Sequence, residues 1–299
     1  MTVRATDVEV VAFYRFVRLD EPAMLREPLL GVMERRGVRG TILLAREGYN
    51  GTIAGPPGAS DAVLDVVAEH TAAGEPSRKR SWCDAMPFRR TRVRIKREIV
   101  SMGHPDLDPS DVGQYVEPED WNALIGREDV TLIDTRNVYE TSIGTFEGAV
   151  DPGTENFRDF PTYVDTHLDP DRGGSIAMFC TGGIRCEKAT AYLRSRGFEN
   201  VYHLRGGILE YLRRVEPSRS RWRGDCFVFD ERVAVDHDLR PTDHVVCYGC
   251  GWPVDAAGQA DPRYRAGVHC PHCIDRLTDD QKRRFETRHT QMSRTGTPG

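Results

Sequence analysis

The chain has 299 residues and a formal net charge of −5, from 41 Lys and Arg against 46 Asp and Glu. Its hydrophobic fraction of 39%, with 28 glycines adding about 9%, is near the ~45–50% of ordinary globular proteins, so two to three domains with real cores are expected. No apolar run approaches the ~18 residues of a membrane span, and "MTVRATDVEV" lacks a secretory apolar stretch. The expectation is a soluble, cytoplasmic protein with no membrane association and no obligate protein partner, too acidic for indiscriminate nucleic-acid binding.

In chain order, "EVVAFYRFV" (9–17) is rich in β-branched and aromatic residues and predicts a strand. "EPAMLREPLLGVMERRG" (21–37) carries a helical stripe of Met24, Leu25, Leu29, Leu30 and Met33. "RGTILLA" (39–45) and "NGTIAG" (50–55) predict a hairpin joined by "REGY", and Ser60 is placed to cap a helix with Val63, Val66 and Val67 on one face. "TRVRIKREIV" (91–100) alternates, with Val93 and Ile95 expected inward and the cations outward. The order β-α-β-β-α-β predicts a ferredoxin-like (acylphosphatase-like) α+β domain over 1–100. Residues 101–118, rich in Pro, Asp and Gly at their start, are expected to be a linker. "VTLID" (130–134), "SIAMFC" (175–180) and "NVYHL" (200–204) then alternate with helical stretches at 184–197 and 207–214, which predicts an α/β domain with a parallel sheet over 119–217. A cysteine-rich, loop-rich region follows over 218–299.

Between Arg78 and Arg97 stand nine Lys or Arg and one Asp, interleaved with Trp82 and Phe88. Such a run reads either as a solvated strand face or as a surface for a phosphate backbone and unstacked bases. Arg78, Lys79, Arg80, Arg89, Arg90, Arg92, Arg94 and Lys96 are the candidate nucleic-acid contacts.

Eight cysteines in a chain of this kind do not read as a disulfide framework. In "MFCTGGIRCEKA" a predicted strand delivers Cys180 to the carboxyl edge of a parallel sheet, where α/β proteins place ligand sites. Gly182 and Gly183 let the backbone curl, a helix begins near Ile184, and Arg185 adds a charge. All three favour thiolate over thiol, and the cradle formed by Cys180, Thr181, Gly182, Gly183, Ile184 and Arg185 would hold a persulfide or an anion. The sulfur is expected to be solvent-reachable beside a cationic groove. Cys186 either resolves an oxidised Cys180 or packs as an inert thiol. "CYGC" (247–250) and "CPHC" (270–273) lie nineteen residues apart, the spacing of a four-cysteine zinc site, with His269 and His272 as competing ligands. Cys83 and Cys226 are expected to be buried structural thiols.

The six-residue loop from Cys180 to Arg185 resembles that of the rhodanese superfamily, as do Asp134, Arg136, Glu140, Gly144, Gly148 and Ala149 and the segment "VYHLRGGILEYL" (201–212). Cell-cycle phosphatases use a loop one residue longer, and the position of their arginine holds Cys186 here. "AREGYNGTIAG" (45–55), "RIKREIVSMG" (94–103), "FCTGGIRCEK" (179–188), "HLRGGILEYL" (203–212) and "GDCFVFDERVAVDHDL" (224–239) are similar to the oxygen-dependent tRNA uridine-34 hydroxylases, with Tyr49 standing where that family usually has Ile. The resemblance implies tRNA as partner, O2 as co-substrate, 5-hydroxylation of the wobble uridine and Cys180 as the catalytic cysteine. A persulfide-carrying sulfurtransferase is the alternative enzyme, and a non-catalytic scaffold the alternative of another class.

Overall fold

Strand and helix signals in the first hundred residues become a five-stranded sheet in the computed structural model, which describes residues 8–71, 74–107 and 111–294. The start of the chain, 1–7, and 108–110 of the expected linker lie outside the described residues. The elements are β1 (Val8–Phe16), α1 (Arg26–Arg35), β2 (Arg39–Ala45), β3 (Gly48–Gly55), α2 (Ala59–Glu69), β4 (Ser77–Cys83) and β5 (Thr91–Ile95). Sheet order is β4-β1-β3-β2-β5. The first four strands are antiparallel in the ferredoxin-like order, and β5 adds a parallel edge beside β2. The strand expected to close the ferredoxin-like unit is therefore the extra edge; the basic stretch 77–83 closes it instead. Ile95 is exposed rather than inward, because it ends an edge strand.

One face of this sheet packs on α1 and α2 through Val11, Phe13, Ile42, Leu44 and Ile53. Tyr49 joins that core, its ring 6.2 Å from Phe13. Met24 departs from the expected stripe: it is 67% exposed, because a 3-10 turn over 22–25 precedes α1 and rotates it outward, while Val32 takes the core position. Ser60 does not cap α2; Gly58 does, and Ser60 sits inside the first turn with its hydroxyl buried and unpaired.

The central domain contains β6 (Gln114–Val116), α3 (Pro118–Ile125), β7 (Val130–Asp134), α4 (Val138–Thr141), β8 (Gly144–Phe146), α5 (Phe160–His167), β9 (Ser175–Phe179), α6 (Ile184–Ser195), β10 (Val201–Leu204) and α7 (Gly207–Arg214). Its sheet is parallel throughout, in the order β6-β10-β9-β7. β6 lies within the expected linker, so part of that stretch is an edge strand. One layer packs Trp121, Phe146, Phe179, Ile208 and Tyr211, and the other packs Phe160, Met178, Ala189 and Leu193.

The tail adds β11 (Trp222–Gly224), which pairs with β8, then short pairs β12 (Cys226–Phe227) with β13 (Ala234–Val235) and β14 (Val245–Val246) with β15 (Pro253–Val254). Trp222, Cys226, Val228 and Val235 bury themselves in the central core. α8 (Ala256–Ala260) and the sixteen-residue α9 (Asp279–Arg294) complete the described chain. α9 was not expected from the loop-rich composition. No helix among the described residues is long and apolar enough to cross a membrane.

Candidate active site

β9 ends at Phe179 and Cys180 follows at the carboxyl edge of the sheet, with α6 starting at Ile184. Gly183 makes this turn possible: its φ is +102°, and a Cβ there would stand 2.9 Å from the Tyr14 hydroxyl. Gly207 has φ +69°, and any side chain would strike the Cys180 carbonyl. That close approach lets Ile208 N–H donate to Cys180 O at 2.9 Å and Leu209 N–H to Thr181 O at 3.1 Å, so the start of α7 braces the loop.

The Gly183 N–H donates to Cys180 Sγ at 3.1 Å. Burial by itself would raise the Cys180 thiol. A hydrogen bond from Cys186, the charge of Arg185 and the amides of Cys186 and Gly183 outweigh it and hold Cys180 below its ordinary value. Cys186 moves the opposite way, pushed up by burial and by its bond to Cys180, so the pair titrates as a unit with the negative charge on Cys180. A lowered thiol keeps its thiolate until the pH falls through the folded value. We therefore expect alkylation of the Cys180 peptide by iodoacetamide to hold its rate at neutral pH; a rate climbing through about pH 8.5 would mark an unperturbed thiol.

Arg185 is not free to reach outward as an anion clamp. Glu140 receives its guanidinium through two bonds of 2.7 Å, and both side chains are buried. Glu140 also accepts from Thr181 Oγ1 at 3.4 Å and from Asn137 N–H at 3.1 Å, the latter as part of the α4 capping box. Burial favours the protonated acid, but Arg185 overrides it and holds Glu140 below the usual carboxylate range. Behind it, the fully buried Arg136 binds Asp134 at 2.6 Å and reaches the Gly144 carbonyl at 2.5 Å, tying β7 to β8.

Contrary to the expectation of a solvent-reachable sulfur, Cys180 is buried, only 1% exposed. The open face of the first domain's sheet covers the loop, leaving a cavity of about 400 Å³ lined by Cys180, Gly182, Arg185, Lys79, Asn50 and Phe229 among others. Two contacts hold this roof. The Tyr14 hydroxyl donates to Glu187 at 2.6 Å, and Lys79 Nζ donates to Gly182 O at 2.6 Å. Deeper in the seam, the buried Lys188 is clasped by Glu98 at 2.6 Å and Glu47 at 2.8 Å. Sequence reasoning missed Tyr14, Asn50, Glu187 and Lys188. The available signal was β1, whose near-continuous apolar run reads as a strand covered on both faces.

Only part of the cationic set remains unpaired. Arg78 meets Asp61 and Glu75, Arg80 meets Glu9 and Asp61, Arg89 meets Glu231 at 2.5 Å, and Lys79 serves the loop. Arg90, Arg92, Arg94 and Lys96 are exposed and form no ion pair among the described residues. Arg92 pairs across the sheet with Thr41 and Arg94 with Leu43, both cavity residues, so these two cations extend the cavity wall outward. Phe88 lines the cavity, whereas Trp82 shares a strand face with Arg78 and Arg80.

In the tail, the sulfurs of Cys247, Cys250, Cys270 and Cys273 lie within 4.8 Å of one another. Separations of 3.8, 3.8 and 3.9 Å match the ~3.8 Å edge of a tetrahedron with metal–sulfur bonds of about 2.3 Å. This cluster can hold a metal ion. The two histidines stand aside, His272 stacked on Trp252 at 3.7 Å and His269 bonded to the Arg263 carbonyl at 2.8 Å. Cys226 is buried as expected, but Cys83 is half-buried near the end of an edge strand.

Residues 8–99 match the family described as UPF0176 acylphosphatase like domain, and residues 117–214 match the Rhodanese-like domain. Fold and site together define a rhodanese-domain protein whose cysteine loop is roofed by an acylphosphatase-like domain. Relatives from two strains of Caulobacter vibrioides, both named tRNA uridine(34) hydroxylase, are each 50% identical over 290 residues, 95% of this chain and 92% of theirs. The chain belongs to the tRNA uridine(34) hydroxylase family. Among solved structures, the rhodanese-like domain of an Anabaena protein is 20% identical with a TM-score of 0.31, covering 37% of this chain and 78% of that one. The human single-domain sulfurtransferase is also 20% identical, with a TM-score of 0.30 over 35% of this chain and 99% of that one.

Proposed function

We propose that this protein is an oxidoreductase that hydroxylates C5 of the tRNA wobble uridine with O2 in the cytoplasm, Cys180 being its catalytic residue. The observation that carries this reading is a charge-stabilised sulfur on a partly open cavity whose wall runs out into unpaired cations. A base must leave its stack to enter such a cavity, the way base-modifying enzymes reach their target atoms. In this reading residues 1–100 form the RNA-facing wall, 101–118 connect, 119–217 carry the reacting thiol and 218–299 close the site. Gly183 and Arg185 favour the ionised sulfur, and Thr181, Gly182 and Ile184 complete the loop around it. Arg90, Arg92, Arg94 and Lys96 take phosphates, while Lys79 braces the loop from the cavity wall and Arg78, Arg80 and Arg89 are held by their own carboxylates. If a peroxide oxidises the Cys180 thiolate to a sulfenic acid, Cys186, bonded to Cys180, would attack it, forming the disulfide and releasing water.

The test is nucleoside mass spectrometry of tRNA from cells with and without the gene. Loss of 5-hydroxyuridine-derived wobble nucleosides supports the reading, in a host with no redundant route. Turnover of thiosulfate independent of tRNA would favour the sulfurtransferase instead.

The four tail cysteines hold zinc in this account, as four thiolates leave no open coordination position and so give a structural site. We expect about one zinc per chain by elemental analysis and loss of that metal in Cys250→Ser, with the circular dichroism of the two larger domains retained. Full zinc content in the variant would contradict the assignment.

A further inference from the structure

The open face of the first sheet carries two cross-strand rows. Lys79, Ala12, Thr52 and Thr41 lie in register in one, and Tyr14, Asn50 and Leu43 in the other. All seven line the cavity that holds Cys180. Most of that wall is apolar, a hydroxyl, or already engaged with the loop. Asn50 differs. Its Nδ2 donates to the Ile99 carbonyl at 3.0 Å, and a carbonyl cannot accept from Oδ1, so this bond fixes which end of the amide is which. It leaves Oδ1 and one N–H at the cavity.

We propose that Asn50 is the specificity-determining residue that reads the base as uracil. An amide offering one acceptor and one donor side by side is complementary to the N3–H and O2 of uracil. Cytosine presents an acceptor at N3, which meets Oδ1 with like polarity and loses the pair. Held by N3 and O2, the ring turns C5 to the far side, since C5 stands opposite C2. Asn50 sits on the sheet wall and Cys180 on the loop wall, so the C5 edge is delivered to the sulfur side of the cavity. Phe229, 56% exposed and also lining the cavity, supplies an aromatic face that any base can stack on. Selectivity and grip are thus assigned to different residues.

This inference rests on the wobble-uridine reading, and the experiment separates the two. Binding of anticodon stem-loop RNAs with U, C or A at position 34 is measured by fluorescence anisotropy, in a Cys180→Ala background to prevent turnover. We expect the parent to prefer U34, Asn50→Ala to lose about 5- to 150-fold of that preference, and Asn50→Asp to shift it toward C34, whose amino group an acceptor can receive. Phe229→Ala should weaken all three RNAs alike. Thermal unfolding of each variant confirms folding, and Thr52→Val, which keeps the Ile99 bond, gives an independent probe of the same wall. A parent with no preference for U34 would overturn the functional reading itself. A parent that prefers U34 with the preference intact in Asn50→Ala would overturn the role of Asn50 alone.

Discussion

Cys180→Ala should abolish hydroxylation of tRNA, by about 10³-fold or more, while leaving the protein folded and able to bind RNA. The sulfur makes few structural demands: its hydrogen bonds are to the amides of Gly183 and Cys186 and to the Cys186 thiol, and alanine occupies the same space less one atom. Loss of stability should therefore be small beside the loss of rate. Single-turnover measurement of modified nucleoside, with anisotropy for RNA binding, separates the two. If Cys180→Ala binds RNA normally and still turns over within tenfold of the wild type, the cysteine is not the reacting group and the loop serves only as scaffold.

The second large effect is expected at Glu140. Substituting Glu140→Ala strips the buried Arg185 of both its bonds and leaves a charge in the protein interior without compensation. Breaking such a pair costs about 3–5 kcal/mol, and in a domain of this size the midpoint of unfolding falls by roughly 10–40 °C. Thermal and urea unfolding check it. The double substitution Glu140→Leu with Arg185→Leu removes both charges and should recover most of the stability, because well-packed apolar residues often replace a buried pair without cost. It should not recover thiolate character. With the guanidinium gone, alkylation of Cys180 should move toward the ordinary thiol range. The pair also sets the sign of acid sensitivity: a carboxyl held low in the fold stabilises it above its unfolded value of about 4.3 and loses that contribution as pH falls through the folded value.

What the sequence disclosed follows from how far apart the interacting residues lie. The cysteine loop is a local device: strand end, two glycines and helix start are all within eleven residues of Met178, and each leaves a composition signal. The four-cysteine cluster likewise announces itself by spacing. Its sulfurs come together in the fold as the spacing implied. Periodicity identified α1 and α2 but not their first turns, because Met24 and Ser60 occupy positions where the entering backbone rather than the stripe decides exposure. Strand β4 was hidden by its cations, since three of its seven residues are Arg or Lys on an edge strand. The roof over Cys180 was least visible. Tyr14 reaches Glu187 across 173 residues and Lys79 reaches Gly182 across 103, and no local pattern encodes such a meeting. For the same reason Arg185 looked available to a ligand until Glu140, 45 residues earlier, was found in its grip.

On the proposed reading, the position of the roof also reconciles an acidic protein with a polyanionic substrate. Its net charge of −5 is an average over the chain. Cations such as Arg78 and Arg80 face acids within the fold, whereas Arg92 and Arg94 continue the cavity rows past the sheet edge and would be free to meet phosphates. Screening over a Debye length of about 8 Å in physiological salt makes that local arrangement, rather than the total, what a phosphate backbone feels.

The most direct test of the account is a reaction of the purified wild-type protein and Cys180→Ala with tRNA and a suitable reductant under isotopically heavy O2, with the wobble nucleoside read by mass spectrometry. The account predicts heavy oxygen at C5 of that uridine with the wild type and none with Cys180→Ala or without oxygen. A label drawn from water, or equal labelling with the variant, would contradict it.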